Sequence, residues 1–326
     1  MKRRGALLLA LLLALVSRPA SAQDATRSGY PNRSILMIVP FPGGGGADAV
    51  ARVTQDAFAE GLGQPVVIEN RPGAGGTLGS VGVIRAKPDG YTVLCTPMPP
   101  LTINIFLQKN FPYDPQTALM PVVLQTIAPL VIAVNPSLPV KNVAELVAYA
   151  KANPGKLSYG SAGIGTGHHI AGELLKQTTG IDMAHVPYRG SGLLIQDLLT
   201  GAIQVGFGTP PAVMTFAEQG TLRAIGVVEA QRYPDLPDLP TVAETFPGVI
   251  APAWNGLFVP AGTPQPIVDR LNKAMNAALK APSVAANFKL QGMLPVGGPP
   301  EDLVKLIAED LEHWGKVLPS IGLLPQ

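Results

Sequence analysis

The strongest constraint on the fold is a three-part unit made of a continuous apolar run, a glycine cluster and an amphipathic segment. Ile35–Val39 is apolar at every position and is followed by the cluster Gly43 to Gly46. Small or apolar residues then recur at helical spacing from 47 to 62, with polar residues on the other face. A run that is apolar throughout is typical of a strand buried on both faces of a parallel sheet. The unit therefore predicts a strand, a glycine turn and a helix, as in an α/β fold.

A second glycine cluster lies in the middle of the chain, again between a strand, predicted at 157–159, and a helix after Gly167, although the sequence has no convincing internal repeat. The 326 residues exceed the usual size of one hydrophobic core, which indicates two domains. We predict that 23–128 begins lobe 1, that 129–249 forms lobe 2, and that 250–326 returns to lobe 1. The return is expected because one strand and two helices are too few for a third core. Two crossings between the lobes would make a hinge.

The first 22 residues have the three-part plan of a secretory signal peptide. A basic start precedes an apolar run of 11 residues, from Ala6 to Val16, and a small-residue ending, Ala20-Ser21-Ala22. The alternative is a membrane anchor, but this run is short against the roughly 20 residues of a spanning helix. We therefore predict export, cleavage after Ala22 and a soluble mature protein.

Removal of the leader changes the net charge from +2 to −2, because 1–22 holds four basic residues and no acidic residue. No basic field then remains to attract nucleic acid or an anionic membrane, so any attraction for an anion must be local. The single cysteine, Cys95, lies in an apolar run without a Cys/His signature. We interpret it as a buried small side chain.

The cluster Gly43 to Gly46 lies where free backbone N–H groups and the positive end of a helix dipole favour an anion. It is not a P-loop, because Gly46 is followed by Ala47 and Asp48 rather than by Lys and Ser or Thr. Asp48 has two interpretations: it caps the helix, or it holds a water molecule for a ligand.

The second cluster, 160–167, adds the hydroxyl groups of Ser161 and Thr166 to the same arrangement. Its glycine spacing departs from G-x-G-x-x-G, so an oxygen-rich anion fits better than a dinucleotide. The alternative is that these hydroxyl groups only cap the helix. A third glycine loop, 70–76, is interpreted as a structural turn between a strand and a helix.

The residues that would support an enzyme or a metal site do not form known motifs. The four histidines have no metal-binding spacing, and the adjacent His168 and His169 point to different faces of one helix. Ser161 is the closest approach to an esterase nucleophile, but Tyr159 stands where that motif requires a glycine. Arg189 follows a strand end, where it either pairs with a carboxylate or bonds to the backbone across the lobes. No catalytic activity and no metal site are therefore predicted.

An ordered series of short motifs resembles the periplasmic solute-binding components of tripartite tricarboxylate transporters, known as the Bug family. The motifs cover nearly the whole chain after the leader. They are Ile38 to Phe41 with Asp48 and Ala51-Arg52, Glu69 to Gly76, Pro88 to Thr92, Tyr159 to Thr166 with His169, His185 to Gly190 with Asp197, Leu239 to Glu244, and Trp254 with Pro260 to Pro264. Any one motif is weak, but the ordered series is specific.

The resemblance implies a type II periplasmic-binding-protein fold, in which two α/β lobes joined by a double-crossing hinge close on a ligand in the cleft between them. The implied ligand is a di- or tricarboxylate, an aromatic carboxylate or an acidic amino acid, and no cofactor is implied. The ligand-binding candidates, from the resemblance and from the residues discussed above, are Phe41, Gly44, Gly45, Ala47, Asp48, Ser161, Gly165, Thr166, His168, Arg189 and Asp197. This sequence departs from the family pattern at Pro42-Gly43, at Gly46 and at Gly167-His168, where His168 is expected at the rim of the cleft. These departures bear on which ligand is bound and leave the predicted fold unchanged.

The resemblance also implies the partners and the location. It implies a periplasmic monomer that delivers its ligand to integral membrane transporter subunits, with no nucleic acid involved. Closure of the lobes would shield charge-assisted hydrogen bonds from water. Two alternatives stay open: presentation of the ligand to a membrane sensor, and a secreted hydrolase with Ser161 as its nucleophile.

Overall fold

The computed structural model describes residues 29–188, 190–251 and 253–325, so the predicted signal peptide lies outside the described residues. Two β-sheets, of six and five strands, form the framework, and helices pack against each of them. Within the described ranges, no helix has the length and apolarity that crossing a membrane requires.

Strands and helices alternate over most of the described chain. The strands are β1 (Ile35–Val39), β2 (Val66–Asn70), β3 (Thr92–Pro97), β4 (Leu119–Ala128), β5 (Val131–Val134), β6 (Leu157–Ser161), β7 (Met183–Pro187), β8 (Val205–Gly208), β9 (Arg223–Val227), β10 (Ala253–Pro260) and β11 (Leu294–Pro295). The α-helices are α1 (Gly46–Leu62), α2 (Thr77–Ile84), α3 (Pro99–Thr102), α4 (Asn104–Leu107), α5 (Val143–Ala152), α6 (Gly167–Thr179), α7 (Ser191–Thr200), α8 (Pro210–Glu218), α9 (Gln265–Leu279), α10 (Pro282–Leu290) and α11 (Pro300–Ser320). Short 3-10 turns lie at Ala74–Gly76 and Val242–Glu244.

The first strand and helix follow from their apolar patterns. Ile35 and Val39, at the two ends of β1, are fully buried, and β1 has a parallel hydrogen-bonded neighbour on each side. The buried stripe of α1 includes Val50 and Phe58, and the helix packs against α9. Both elements therefore lie where the first apolar and glycine unit predicts them.

The first sheet combines strands from both ends of the described chain. Its strand order is β11-β4-β10-β3-β1-β2. β1 is parallel to β2 and β3, whereas β10 is antiparallel to β3 and β4. The C-terminal strand β10 thus lies inside a sheet that begins with N-terminal strands.

The second sheet is built from the middle of the chain. Its strand order is β7-β6-β8-β5-β9. β6 is parallel to β7 and β8, while β5 is antiparallel to β8 and β9. The second glycine cluster follows β6, which lies inside this sheet, just as the first cluster follows β1 inside the other.

The chain passes between the sheets twice, and the two passages are hydrogen-bonded to each other. The first passage follows β4, and the second leads from β9 to β10. The N–H of Val228 donates to the carbonyl of Leu130 at 2.7 Å, and the carbonyl of Val228 accepts the N–H of Ala251 at 3.4 Å. The double crossing is therefore one continuous region of backbone contacts.

The sequence pattern does not predict β4, α8 or α10. β4 contains a proline and the buried polar side chains of Gln125 and Thr126, which obscure its apolar pattern, and its pairing with β10 shifts register twice. α8 and α10 begin with prolines, which usually mark breaks. Proline is nevertheless compatible with a first helical turn, because the N–H groups there have no partner inside the helix.

Candidate functional site

The two glycine clusters lie at equivalent places in the two sheets. We call the segment 40–45, between β1 and α1, loop A, and the segment 162–166, between β6 and α6, loop B. Each loop follows the carboxyl end of a strand that has a parallel neighbour. Open α/β sheets bind ligands at the carboxyl ends of their strands.

A cavity of about 270 Å³ brings loop A and loop B to one place. Its walls are formed by Phe41, Gly75, Pro99, Asn104, Leu107, Gln108, Ile164, Gly165, Thr166, Leu323 and Leu324. Three predicted candidates therefore face the same space: Phe41 from loop A, and Gly165 and Thr166 from loop B.

Loop A is anchored by the carboxylate of Asp48, the third residue of α1. Its Oδ2 accepts the N–H of Gly44 at 2.8 Å and the Nε–H of Arg52 at 2.7 Å, and its Oδ1 accepts from Nδ2 of Asn70 at 3.0 Å. Asn70 also donates to the carbonyl of Phe41 at 3.0 Å. Burial would raise the pKa of Asp48, but these hydrogen bonds, led by that of Arg52, lower it, so the carboxylate stays charged. Asp48 therefore holds the turn before the helix, a role close to the predicted capping.

The hydroxyl groups of loop B and of the strand before it have partners in loop B, and Ser161 also has one in β7. Ser161 is fully buried, and its Oγ lies 2.7 Å from Nε2 of His185 and accepts the N–H of Gly163 at 3.2 Å. Thr166 Oγ1 donates to the carbonyl of Gly163 at 2.7 Å. Both hydroxyl groups shape the loop, and their predicted bonds to a ligand stay predictions.

Gly165 occupies a position that favours glycine. Its φ is +78°, and a Cβ atom there would lie 3.3 Å from Cδ1 of Leu107 on α4. Its N–H donates to Nδ1 of His169 at 3.1 Å. Gly165 therefore lets loop B approach the other sheet's helices closely, while its N–H is engaged by the start of α6.

Donors for an anion remain at the first turns of α1 and α6. The N-cap residues are Gly45 and Thr166, whose carbonyls accept the N–H groups of Ala49 at 2.9 Å and of Ile170 at 3.0 Å. The three preceding N–H groups of each helix, at 46–48 and 167–169, have no acceptor within the helix. Ala47 lies in the first of these sets. Both helix ends are partly positive and point to an anion as the matching ligand.

Three further candidates have different surroundings. Both ring nitrogens of His168 are buried and have no hydrogen-bond partner among the described residues. Burial lowers the pKa of His168 to about 4, so its ring is neutral at pH 7. Asp197 accepts the hydroxyl hydrogen of Tyr188 at 2.6 Å, which joins α7 to the segment after β7. Arg189 lies outside the described residues.

Two amide side chains that the sequence does not single out shape the cavity wall. Nδ2 of Asn104 donates to the carbonyl of Gly75 at 2.9 Å, and Nε2 of Gln108 donates to the carbonyl of Ala74 at 2.9 Å. The third glycine loop, interpreted from the sequence as a structural turn, thus also forms part of the wall through Gly75. In the sequence, these residues are visible only as two amide side chains at helical spacing. Nothing in the sequence indicates that they bond to a loop about 30 residues away.

The side chains that could act as nucleophiles are buried. Ser161 and His185 are as close as a nucleophile and its base would be, but Ser161 has no exposed surface for a substrate to reach. Cys95 is also fully buried, and burial raises the pKa of its thiol to about 12. Across the described ranges, no group of three or more His, Cys, Asp or Glu side chains is placed to hold a metal ion.

A larger groove, of about 610 Å³, lies along β9 and the segment 235–239. Neither loop A nor loop B contributes a residue to it. Its walls come from the second sheet's side alone, so two strand-to-helix turns do not meet in it as they do in the smaller cavity. That convergence, and not cavity size, marks the smaller cavity as the candidate site.

Sequence comparisons identify a family for this chain. The sequence matches the tripartite tricarboxylate transporter family receptor over residues 50–323. Protein BugT of Bordetella pertussis is 35% identical over 317 residues, which cover 97% of this chain and 97% of BugT.

Solved structures extend the likeness to the fold. An R. palustris protein with adipate has a TM-score of 0.81 and 34% identity, covering 91% of this chain and 100% of that one. MatC from Rhodopseudomonas palustris with bound malate has a TM-score of 0.76 and 32% identity, covering 89% of this chain and 100% of that one. The two-lobed α/β fold and the family resemblance inferred from the sequence are confirmed. The chain belongs to the tripartite tricarboxylate transporter receptor family.

Proposed function

We propose that this protein is a periplasmic receptor that captures a small carboxylate between loop A and loop B and delivers it to the membrane subunits of a tripartite tricarboxylate-type transporter. The observation that carries the proposal is the shared cavity, which loop A lines through Phe41 and loop B through Gly165 and Thr166. Two helix N-termini with free N–H groups adjoin these loops, and such ends favour anions.

The carboxylate would be held mainly by backbone N–H groups. In this proposal the first turns of α1 and α6 donate to it, including the N–H of Ala47, while Gly45 keeps loop A open to its approach. Each such bond is charge-assisted and strengthens when water is excluded. Asp48, Ser161 and Asp197 would act indirectly, because their polar atoms already have partners inside the protein. The ring nitrogens of His168, in the first turn of α6, have no partner among the described residues, but they are buried, so a direct bond to the ligand would require lobe movement to expose them.

The choice of carboxylate rests on two lines of support. The matched family is described as a tripartite tricarboxylate transporter receptor. Two similar structures are described as holding adipate and malate, which are both dicarboxylates. A di- or tricarboxylate is therefore the first class to test, followed by aromatic carboxylates and acidic amino acids. We propose no catalytic step.

Ligand capture would shift an equilibrium between open and closed arrangements of the two lobes. We propose lobe boundaries at 128/129 and 249/250, since the chain changes sheets in these regions. The closed monomer would be the form that docks on the membrane subunits. Export with cleavage after Ala22 belongs to the same proposal, and intact mass of the protein recovered from the periplasm would test it.

Thermal unfolding in the presence of matched solutes tests the binding function. A receptor for dicarboxylates should be stabilised by adipate or malate and left unchanged by the corresponding neutral diamides, because only the charged form matches the helix ends. A panel of tricarboxylates, aromatic acids and acidic amino acids extends the search. Stabilisation by neutral solutes alone would contradict the proposal.

Uptake experiments test the delivery step separately. A strain that lacks this protein should lose uptake of the solute that stabilises it, and the intact gene should restore uptake. If binding is found but uptake is unchanged while a transcriptional response to the solute is lost, the protein presents its ligand to a sensor instead. That result would leave carboxylate binding intact and remove the transport role.

A further inference from the structure

Two histidines from different elements lie against loop B. His169 is the third residue of α6, and His185 lies in β7. Their rings stack with centroids 4.1 Å apart and planes 17° from parallel. Nδ1 of His169 accepts the N–H of Gly165 at 3.1 Å, and Nε2 of His185 lies 2.7 Å from Oγ of Ser161. The stacked pair is therefore bonded to loop B near its end and to the residue just before its start.

The ring stack is held by packing around it. The ring of Tyr159 also stacks on His185, with centroids 4.9 Å apart, and its hydroxyl donates to Oε1 of Glu173 at 2.6 Å. A Cβ atom at position 172 would overlap the ring of Tyr159, so Gly172 is what lets α6 lie against this stack. The positions of the two imidazoles are thus fixed by packing against β6 and α6.

The hydrogen bond from Gly165 requires His169 to be neutral, since Nδ1 accepts a bond only when it carries no proton. The titratable groups that act on His169 are His185, Glu173 and Lys176, and the last two form an ion pair at 3.0 Å. Burial, and then the neighbouring His185, lower the pKa of His169 to about 4, with Glu173 opposing this and Lys176 adding to it. Burial also lowers the pKa of His185.

We propose that His169 and His185 are positioning residues, whose neutral rings hold loop B in the shape that lets the first turn of α6 receive the ligand's carboxylate. The proposal rests on the proposed function, because it assigns these rings to the same binding site. Neither ring has to touch the ligand. Without the acceptor on His169, the N–H of Gly165 loses its partner, loop B relaxes, and affinity for the carboxylate falls.

Three variants separate positioning from general stability. His169→Asn keeps an acceptor, because Oδ1 of asparagine reaches the place of Nδ1. His169→Leu removes the acceptor at similar volume, and His313→Leu, on α11 and outside both loop segments, is the control for replacing a histidine by leucine. Calorimetric titration with adipate and with malate at pH 7 should show binding weakened about 10-fold or more in His169→Leu. His169→Asn should stay within about 3-fold of the wild type, and His313→Leu should be unchanged. Equal affinity in His169→Leu and the wild type would overturn the proposal.

A second measurement needs no ligand. The protection factor of the Gly165 amide, read by hydrogen exchange in NMR spectra, should be high in the wild type and in His169→Asn and low in His169→Leu. In the wild type it should fall as the pH is lowered from 7 towards 4, and His169→Asn should lack that fall. The wild-type pH profile tests the role even if His169→Leu does not fold.

The two readouts distinguish the ways of failing. If the wild type binds a carboxylate but the exchange of the Gly165 amide is the same in all variants and at all pH values, the positioning role is wrong and the proposed function stands. If the wild type binds no carboxylate, the proposed function fails together with the ligand-binding part of this proposal. Amide exchange would then report only how loop B is held.

Discussion

Loop A and loop B are closed by the same local hydrogen bond, made with different chemistry. In each following helix, the third residue accepts the N–H of the glycine four positions earlier. Asp48 accepts from Gly44 at 2.8 Å, and His169 accepts from Gly165 at 3.1 Å. The bond is similar to the return bond of a capping box, which ties the incoming chain to the start of a helix. The acceptor is a charged carboxylate in loop A and a neutral imidazole in loop B.

The surroundings of the two acceptors explain the difference. Asp48 needs donors for its charge, and Arg52, whose side chain is 56% exposed, and Asn70 supply them. His169 is only 4% exposed and stacks on His185. A charge there would lose its hydration at a cost of several kcal/mol, so a neutral acceptor fits the buried position. A charged acceptor suits loop A because its partner lies at the surface.

Lowering the pH should destabilise the anchor of loop B before that of loop A, and this is the largest effect that we expect. The pKa of His169 is lowered from 6.5 to about 4, so the unfolded chain binds more protons than the folded protein between these values. The free energy of unfolding therefore falls as the pH drops through this window, by roughly 3 kcal/mol for His169. His168, whose pKa is also lowered to about 4, adds to the fall. The pKa of Asp48 is lowered from 3.8, so its contribution is lost only below that value.

Urea unfolding measured from pH 7 to pH 4 checks this expectation. Between these limits His169→Asn should lose roughly 3 kcal/mol less than the wild type, while Asp48→Asn should follow the wild-type slope. An identical slope for His169→Asn and the wild type would mean that the imidazole of His169 is not held neutral by the fold.

Removing the carboxylate of loop A should have the next largest effect. Asp48→Ala leaves the N–H of Gly44 and the amide of Asn70 without their acceptor, and hydrogen bonds to a charged group contribute about 2–3 kcal/mol. Arg52→Ala, the matched control, removes only an exposed partner and should cost less than about 1 kcal/mol. Urea unfolding at pH 7 gives both values. Equal losses would show that the ion pair, and not the bond to loop A, carries the effect.

His168→Leu should raise the free energy of unfolding by about 1–2 kcal/mol, because it removes buried ring nitrogens that have no partner within the described structure. The same change should weaken carboxylate binding if a ring nitrogen meets the ligand. Thermal unfolding with and without adipate measures both. A destabilised variant would mean that the ring has partners that stabilise the free protein, and loop B would then resemble loop A more closely.

Local patterns predict the elements that carry the loops. β1 and α1 follow from an apolar run, a glycine cluster and helical spacing, all within 30 residues. α7 (Ser191–Thr200) likewise has a helical period, since its buried side chains are Leu194, Ile195 and Leu198. These elements are predictable because burial on both faces of a strand, or on one face of a helix, leaves a period in the sequence.

The hydrogen bonds and contacts that hold the loops leave no such period in the sequence. The bond between Ser161 and His185 joins residues 24 positions apart, and the contact of Gly165 with Leu107 joins two different lobes. Asn104 reaches the third glycine loop from 29 positions away. Each of these depends on how elements that are distant in the sequence come together in the fold, so residue type and spacing identify the loops without identifying what holds them.

The salt dependence of the coupling energies is the smallest effect that we expect. It tests most directly whether loop A has a charged anchor and loop B a neutral one. A double-mutant cycle on Asp48 and Arg52 should give a coupling energy of up to about 1 kcal/mol at low ionic strength. Because Arg52 is exposed, screening should reduce this coupling towards zero in about 1 M NaCl, where the Debye length is about 3 Å. The cycle on Ser161 and His185 joins two neutral groups, so its coupling, also of about 1 kcal/mol, should not change with salt. If both couplings fall together, the ring pair of loop B carries charge at pH 7, and the contrast between a charged and a neutral anchor is wrong.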